Sequence, residues 1–203
     1  MPTPAHTSLA AIVQAGREIV EADGLAGLTM QRVASAVGVR PPSLYKRVRN
    51  RGDLVRLIGS EVARELGATL EQTATTGEPR ADLRAIAVGF RAFAHAHPQA
   101  HRLLFDPLPD DLRPDPEASR EAVEVLFRVL SALVEPADVL DAARTLVAWA
   151  YGFVSMELAD TFRLGGDVDR AFAFAVERLV EAIAPVAGMP RPAAEGRATA
   201  ANQ

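Results

Sequence analysis

The chain has 203 residues, 49% apolar, 24% charged and 5% aromatic, with 22 basic against 26 acidic side chains and a formal net charge of −4. That composition excludes disorder along the whole chain and provides enough apolar material for one or two packed domains. Cysteine is absent, which removes disulfide frameworks, thiolate metal sites and cysteine nucleophiles and fits a reducing, cytoplasmic setting.

Apolar residues recur at three- and four-residue spacing almost everywhere and period-two alternation is scarce, so the expected fold is all-α, with about nine helices. Residues 1–8 lack the basic and apolar segments of a secretory signal, and 1–7 are expected to form a disordered tail. The first helix is predicted over 8–23, with Ser8 as N-cap and Gly24 as its stop. A short second helix begins after Leu28, where Thr29 can cap it, and ends at Gly38. The proline pair Pro41 and Pro42 opens a third, running to about Val48. Asp53 stands near the start of a long fourth helix whose inward stripe is Leu54, Leu57, Ile58, Val62, Leu66 and Leu70.

Further helices are expected over 80–96, 98–104, 117–134, 138–163 and 168–184. Residues 106–116 hold four prolines and four aspartates and read as a loop. Residues 188–203 form a second expected disordered tail. The longest apolar stretch free of charge, 145–156, is far short of the ~20 residues that span a bilayer, so no membrane partner is expected. The chain is expected to divide into two units, 8–52 and 53–187.

Charge is distributed unevenly. Residues 1–56 carry a net +4 and the remainder −8, and between residues 26 and 52 six basic groups occur without an acid. A basic segment on an acidic body points to a polyanion at one end of the molecule. The second and third helices, joined by a short turn at Gly38, have helix-turn-helix spacing, in which the second helix enters the major groove. Leu44 and Val48 would face the core with Val33, Ala34 and Val37. Pro42, Ser43 and Lys46 then point outward, flanked by Tyr45 and Arg47. Lys46 and Arg47 can donate to guanine N7 and O6, while Ser43 and Tyr45 can reach bases or phosphates. Arg40, Arg49 and Arg51 flank the helix as expected phosphate contacts, and Thr29, Gln31 and Arg32 lie within reach of the groove edge.

The stretch from Gly27-Leu28-Thr29-Met30-Gln31-Arg32-Val33-Ala34 through Gly38-Val39 to Pro42-Ser43-Leu44-Tyr45-Lys46-Arg47-Val48 resembles the signature of the TetR/AcrR family of transcriptional regulators. Arg51 and Val48 stand where that family usually has lysine and often has phenylalanine, and Arg40 where it more often has a small polar residue. A looser likeness links His97-Pro98, His101-Arg102-Leu103-Leu104-Phe105 and Trp149-Ala150-Tyr151-Gly152 to a WHG-type C-terminal domain, with Tyr151 in place of the histidine. The resemblance implies a homodimeric, cytoplasmic repressor that binds a palindromic operator on double-stranded DNA and is released by a small apolar or amphipathic effector. It implies no cofactor.

Most phenylalanines and the single tryptophan lie in the body. Phe90, Phe93, Leu104, Phe105, Phe127, Trp149, Tyr151, Phe153 and Met156 are the expected lining of the effector pocket. Helix 138–163 is apolar nearly all round, which demands burial on more than one face. With 168–184 it supplies the expected dimer interface: Leu158, Phe162, Phe172, Val176, Leu179, Val180 and Ile183.

His95, His97 and His101 do not combine into a metal site. The first two diverge on a helix, Pro98 breaks the path to the third, and all three are expected at helix ends or on polar surface. No phosphate-cradling glycine loop, nucleophile elbow or His-Glu-x-x-His occurs, so the chain does not read as an enzyme. Two other classes remain open at this point: an effector-independent architectural DNA-binding protein, and a helical small-molecule-binding protein or enzyme.

Overall fold

The computed structural model describes residues 8–184, and every regular element among them is helical. The tails expected at 1–7 and 188–203 lie outside the described residues. The helices are α1 (Leu9–Gly27), α2 (Met30–Ala36), α3 (Pro41–Leu44), α4 (Arg51–Thr73), α5 (Pro79–Ala96), α6 (Pro98–Phe105), α7 (Pro116–Glu121), α8 (Glu124–Ser131), α9 (Val139–Leu158) and α10 (Val168–Ile183). No helix among the described residues is long and apolar enough to cross a membrane.

Caps set most of the boundaries. Ser8, Thr29, Asn50, Glu78 and Asp167 each accept a backbone N–H from the first turn of α1, α2, α4, α5 and α10. Proline opens α3, α5, α6 and α7, where its missing N–H costs nothing. α1 breaks at Gly24, as expected, but one more helical turn follows to Gly27. Gly38, with φ of 73°, makes the turn between α2 and α3 in the left-handed region that a β-carbon disfavours.

Three boundaries depart from expectation. α3 keeps helical geometry only to Leu44 and then tightens, Arg47 N–H donating to the Leu44 carbonyl at 2.8 Å. Burial of Leu44 and Val48 holds this short segment down while Asn50 turns the chain into α4. The helix expected over 117–134 is two, α7 and α8, although neither proline nor glycine separates them. Here α7 packs so closely on α4 that a β-carbon on Gly67 would lie 2.8 Å from the Glu121 carbonyl oxygen, and the chain bends at Val123 (φ −114°, ψ 0°). The third is α9, which ends at Leu158, not at 163. Asp160 takes a φ of 52°, its N–H donates to the Glu157 carbonyl, and the Thr161 N–H reaches the Met156 carbonyl. That is a Schellman ending with aspartate in glycine's usual place.

One apolar core runs through the molecule from Ile12 on α1 to Val180 on α10. α4 threads it. Near its start Ile58 touches the α1 backbone at Gly16, and toward its end Leu66 and Leu70 face Leu83 and Ile86 of α5. The expected division at 52/53 falls within the first turn of this helix. α1 also meets α6, where the Glu21 carboxylate accepts the free N–H groups of Gln99 and Ala100, each at 3.1 Å. The 106–116 loop contains one 3-10 turn, Asp110–Leu112.

Candidate functional site

The helix-turn-helix is built on five inward residues, Val33, Ala34, Val37, Leu44 and Val48, all buried. With that side committed to the core, the opposite side of α3 and the turn after it must face solvent. Gln31, Arg32, Arg40, Pro42, Tyr45, Lys46, Arg47 and Arg49 are exposed and Ser43 is half-exposed. Tyr45 is 52% exposed, unusual for so large a ring in a chain that buries most of its aromatic surface. Arg40, Lys46 and Arg47 form no ion pair among the described residues, so their charges stay available to an external anion.

The remaining cations are already engaged. Arg32 pairs with Asp23 and donates to the Gly27 carbonyl at 3.0 Å, while the Thr29 hydroxyl accepts the Arg32 backbone N–H at 3.2 Å. Arg49 donates both its backbone N–H and a guanidinium N–H to Asp53, at 2.9 and 3.0 Å. Those bonds, led by the guanidinium one, hold the Asp53 carboxyl down to about 2. Arg56 joins Asp53 to Asp115, whose other oxygen accepts from Ser60 at 3.2 Å, tying the start of α4 to the proline-rich loop.

Arg51 does not extend toward the expected phosphates. Its guanidinium turns inward and donates to the carbonyls of Leu28 at 2.7 Å and Leu25 at 2.5 Å. The Leu25 carbonyl also accepts the Leu28 N–H at 3.3 Å, so arginine's fork adds a second bond there and bonds the Leu28 carbonyl at the end of α1 as well.

In the body an apolar cleft with a volume of about 80 Å³ lies between α4, α5, α8 and α9. Of the nine expected lining residues, Phe90, Phe105 and Trp149 are on its wall. The rest of the wall is aliphatic, with Leu66, Leu70, Leu83, Ile86, Leu126 and Leu146 prominent. The six others lie elsewhere. Phe93 is buried against His97, and Leu104 faces a separate, more polar groove along the 106–116 loop. Phe127 packs on the core, and Tyr151 stacks on Phe105. Phe153 packs between Trp149 and Phe172, and Met156 is 47% exposed. Rings and flexible sulfur fill gaps between helices, so most became core, while the α4 stripe already legible in sequence supplies much of the cleft.

His101 is also displaced from expectation. It is not surface but 2% exposed, because Pro98 restarts a helix that turns this side chain onto the same face as Phe105.

The expected dimer residues separate into two groups. Phe172, Val176 and Val180 are buried against this chain's own helices, with the Arg91 guanidinium 4.8 Å above the Phe172 ring. Leu158, Leu179 and Ile183 are half-buried on the same core and Phe162 is 36% exposed. Arg91 further binds Glu157 and Asp169, and His95 approaches Glu157 at 3.0 Å, which fastens α10 to α5 and α9. The large apolar side chains left outside in the body, among the described residues, are Phe174 (66%), Val88, Met156, Leu140, Phe162 and Leu164. A hydrophobic period marks a buried face but not which partner buries it, and here the α10 stripe is satisfied within the chain.

Two family profiles match this chain: "Bacterial regulatory proteins, tetR family" over residues 12–58, and "Tetracyclin repressor-like, C-terminal domain" over 83–179. The second span contains both segments whose likeness to a C-terminal domain was noted above. An HTH-type transcriptional regulator of Mycobacterium tuberculosis is 29% identical over 199 residues, covering 95% of this chain and 86% of the relative. The HTH-type transcriptional repressor DrrR1 of Streptomyces coeruleorubidus is 37% identical over 99 residues, 48% of this chain and 35% of its own length. In fold, the chain superposes on a Rhodococcus protein of unknown function with a TM-score of 0.75 and 22% identity, covering 91% of this chain and 100% of the other.

Proposed function

This chain belongs to the TetR family of DNA-binding transcriptional regulators, and we propose that it is a homodimeric repressor that reads a palindromic operator with Tyr45, Lys46 and Arg47 and leaves it when a small apolar or amphipathic effector enters the body. The observation that carries this reading is the division of α3 and its turn. Leu44 and Val48 are 0% and 1% exposed, while the three residues between them are exposed and Lys46 and Arg47 lack ion-pair partners among the described residues. Such a segment can approach base edges without unpacking. Thr29, Gln31, Arg32, Arg40, Pro42, Ser43 and Arg49 form the surrounding contact surface, with the unpaired cations supplying most of the phosphate attraction.

One short recognition segment reads few bases, so useful specificity calls for two copies related by symmetry. Phe174, Met156, Phe162 and Leu164 support α9, α10 and the loop between them as the dimer face, since these side chains stay exposed in the single chain. The cleft walled by Phe90, Phe105 and Trp149 is the effector site in this reading, within a body unit that begins with α4. α4 is common to the cleft and the recognition unit, so a ligand that favours one packing of α4 changes the separation of the two recognition segments. The relatives are regulators and not enzymes, which sets a catalytic reading aside. The repressor would act on cytoplasmic DNA.

Selection of bound duplexes from fragmented genomic DNA, followed by fluorescence anisotropy at several salt concentrations, tests this. Recovery of an inverted repeat bound at least ~10³-fold more tightly than random duplex is the expected result. Binding that never discriminates between the two would replace this reading with an architectural one.

A further inference from the structure

His101 is a buried titratable group that the recognition surface does not use. Neither Nδ1 nor Nε2 meets a protein hydrogen-bond partner among the described residues. The ring is boxed in by Phe90 at 5.5 Å, Phe105 at 5.0 Å and Tyr151 at 5.8 Å between centroids. Phe90 and Phe105 also wall the apolar cleft, so a single layer of rings separates the imidazole from it. Burial keeps His101 below its usual pKa, and the neutral ring offers one N–H donor and one lone pair. Leaving both unbonded costs stability that a leucine or phenylalanine in the same place would not. A packing role alone therefore does not account for histidine here.

We propose that His101 is the polar anchor of the effector site, and that the effector is a flat, ring-bearing apolar molecule carrying a hydroxyl group that exchanges a hydrogen bond with the imidazole once the Phe105 ring swings aside. This rests on the reading of the cleft as the effector site. None of the described residues lining the cleft is ionisable. A charged head group would thus enter without a counter-charge, whereas a hydroxyl both donates and accepts and suits either tautomer. Phe90, Phe105 and Trp149 present ring faces and edges against which a planar body stacks.

The test uses the full chain labelled with 15N-histidine and a matched probe pair, 1-naphthol and naphthalene. Trp149, the only tryptophan, lies on the cleft wall and reports occupancy through its fluorescence. The ring nitrogens of His101 are assigned by eliminating His6, His95 and His97 with single glutamine variants. Expected are quenching by both probes, about three- to tenfold tighter binding of 1-naphthol, and a shift of the His101 nitrogens with 1-naphthol only. In His101→Leu naphthalene still binds, the naphthol advantage disappears, and the thermal midpoint is unchanged or higher. Equal affinity of the wild type for both probes, unmoved His101 nitrogens, or an advantage that survives His101→Leu overturns the anchor. The nitrogen shifts belong to the wild type and decide the matter even if the variant does not fold. If neither probe quenches Trp149, the effector reading of the cleft fails, and the anchor with it.

Discussion

Replacing Arg51 by alanine separates a structural arginine from a DNA-contacting one. The guanidinium holds the carbonyls of Leu28 and Leu25 at 2.7 and 2.5 Å from a half-buried position. Hydrogen bonds to a charged group contribute about 1.5–3 kcal/mol each when measured by deletion, but water can reach half-buried carbonyls in the variant and recover part of that. A net loss of about 2 kcal/mol is expected for the pair. For a chain of this length that lowers the melting temperature by about 4–8 °C, readable from helical circular dichroism. The DNA measurement is the slope of log Kd against log salt. Arg40→Ala removes an exposed phosphate-reaching charge that makes no side-chain cap bond, and lowers the slope by about one without changing the melt. Arg51→Ala keeps the wild-type slope. A variant that melts like the wild type while its salt slope drops by about one would refute the inward role and restore Arg51 to the DNA surface.

Gly67→Ala brings a β-carbon to 2.8 Å from the Glu121 carbonyl oxygen and 3.0 Å from the Ala122 Cα, both backbone atoms that cannot simply rotate away. The strain, about 1–3 kcal/mol, outweighs the ~1 kcal/mol gain in helix propensity; Gly152→Ala, with nothing within 4 Å of its new β-carbon, is the control and is neutral or stabilising in thermal melts. Asp53, with a folded-state pKa of about 2 against an ordinary 3.8, contributes stability that is complete above 3.8 and fades as pH falls through 2. Asp53→Asn therefore costs about 1–2 kcal/mol at pH 7 in urea titrations, and this gap to the wild type closes between pH 4 and 2. Phe174→Asp with Met156→Asp weakens self-association by at least about tenfold in sedimentation equilibrium while the monomer stays folded. Phe172→Asp instead unfolds the chain, because its ring is 3% exposed beneath Arg91.

What was legible in the sequence was whatever local chemistry decides. Ser8, Thr29 and the proline pair opening α3 mark helix starts that any neighbour would leave unchanged. The exposure of Tyr45, Lys46 and Arg47 was legible because α3 is so short that burying Leu44 and Val48 leaves these side chains only one direction. Tertiary choices were not. The break between α7 and α8 comes from α4 pressing on α7 at Gly67, over fifty residues away in sequence. Arg51 looks like its exposed neighbours until the end of α1 brings the Leu25 and Leu28 carbonyls beside it. The α10 period at Phe172, Val176 and Val180 is the same whether a second copy or the chain's own α5 and α9 covers it. Asp160 gave no glycine signal for the end of α9, since the Schellman geometry is closed by backbone bonds. His101 read as surface because its spacing from His95 and His97 crosses a proline; burial followed only from the way α6 docks between α1, α4 and α5.

The most direct test of the account is the affinity of Tyr45→Ala/Lys46→Ala for the selected operator, measured by anisotropy beside the wild type at one salt concentration. Both side chains are exposed and unneeded by the core, so the melt should not change. The account predicts that the discrimination between operator and random duplex falls by at least about tenfold, in line with ~1–3 kcal/mol for a base-reading contact. A double variant that is folded and still selects its operator as tightly as the wild type would contradict the placement of the DNA-reading surface.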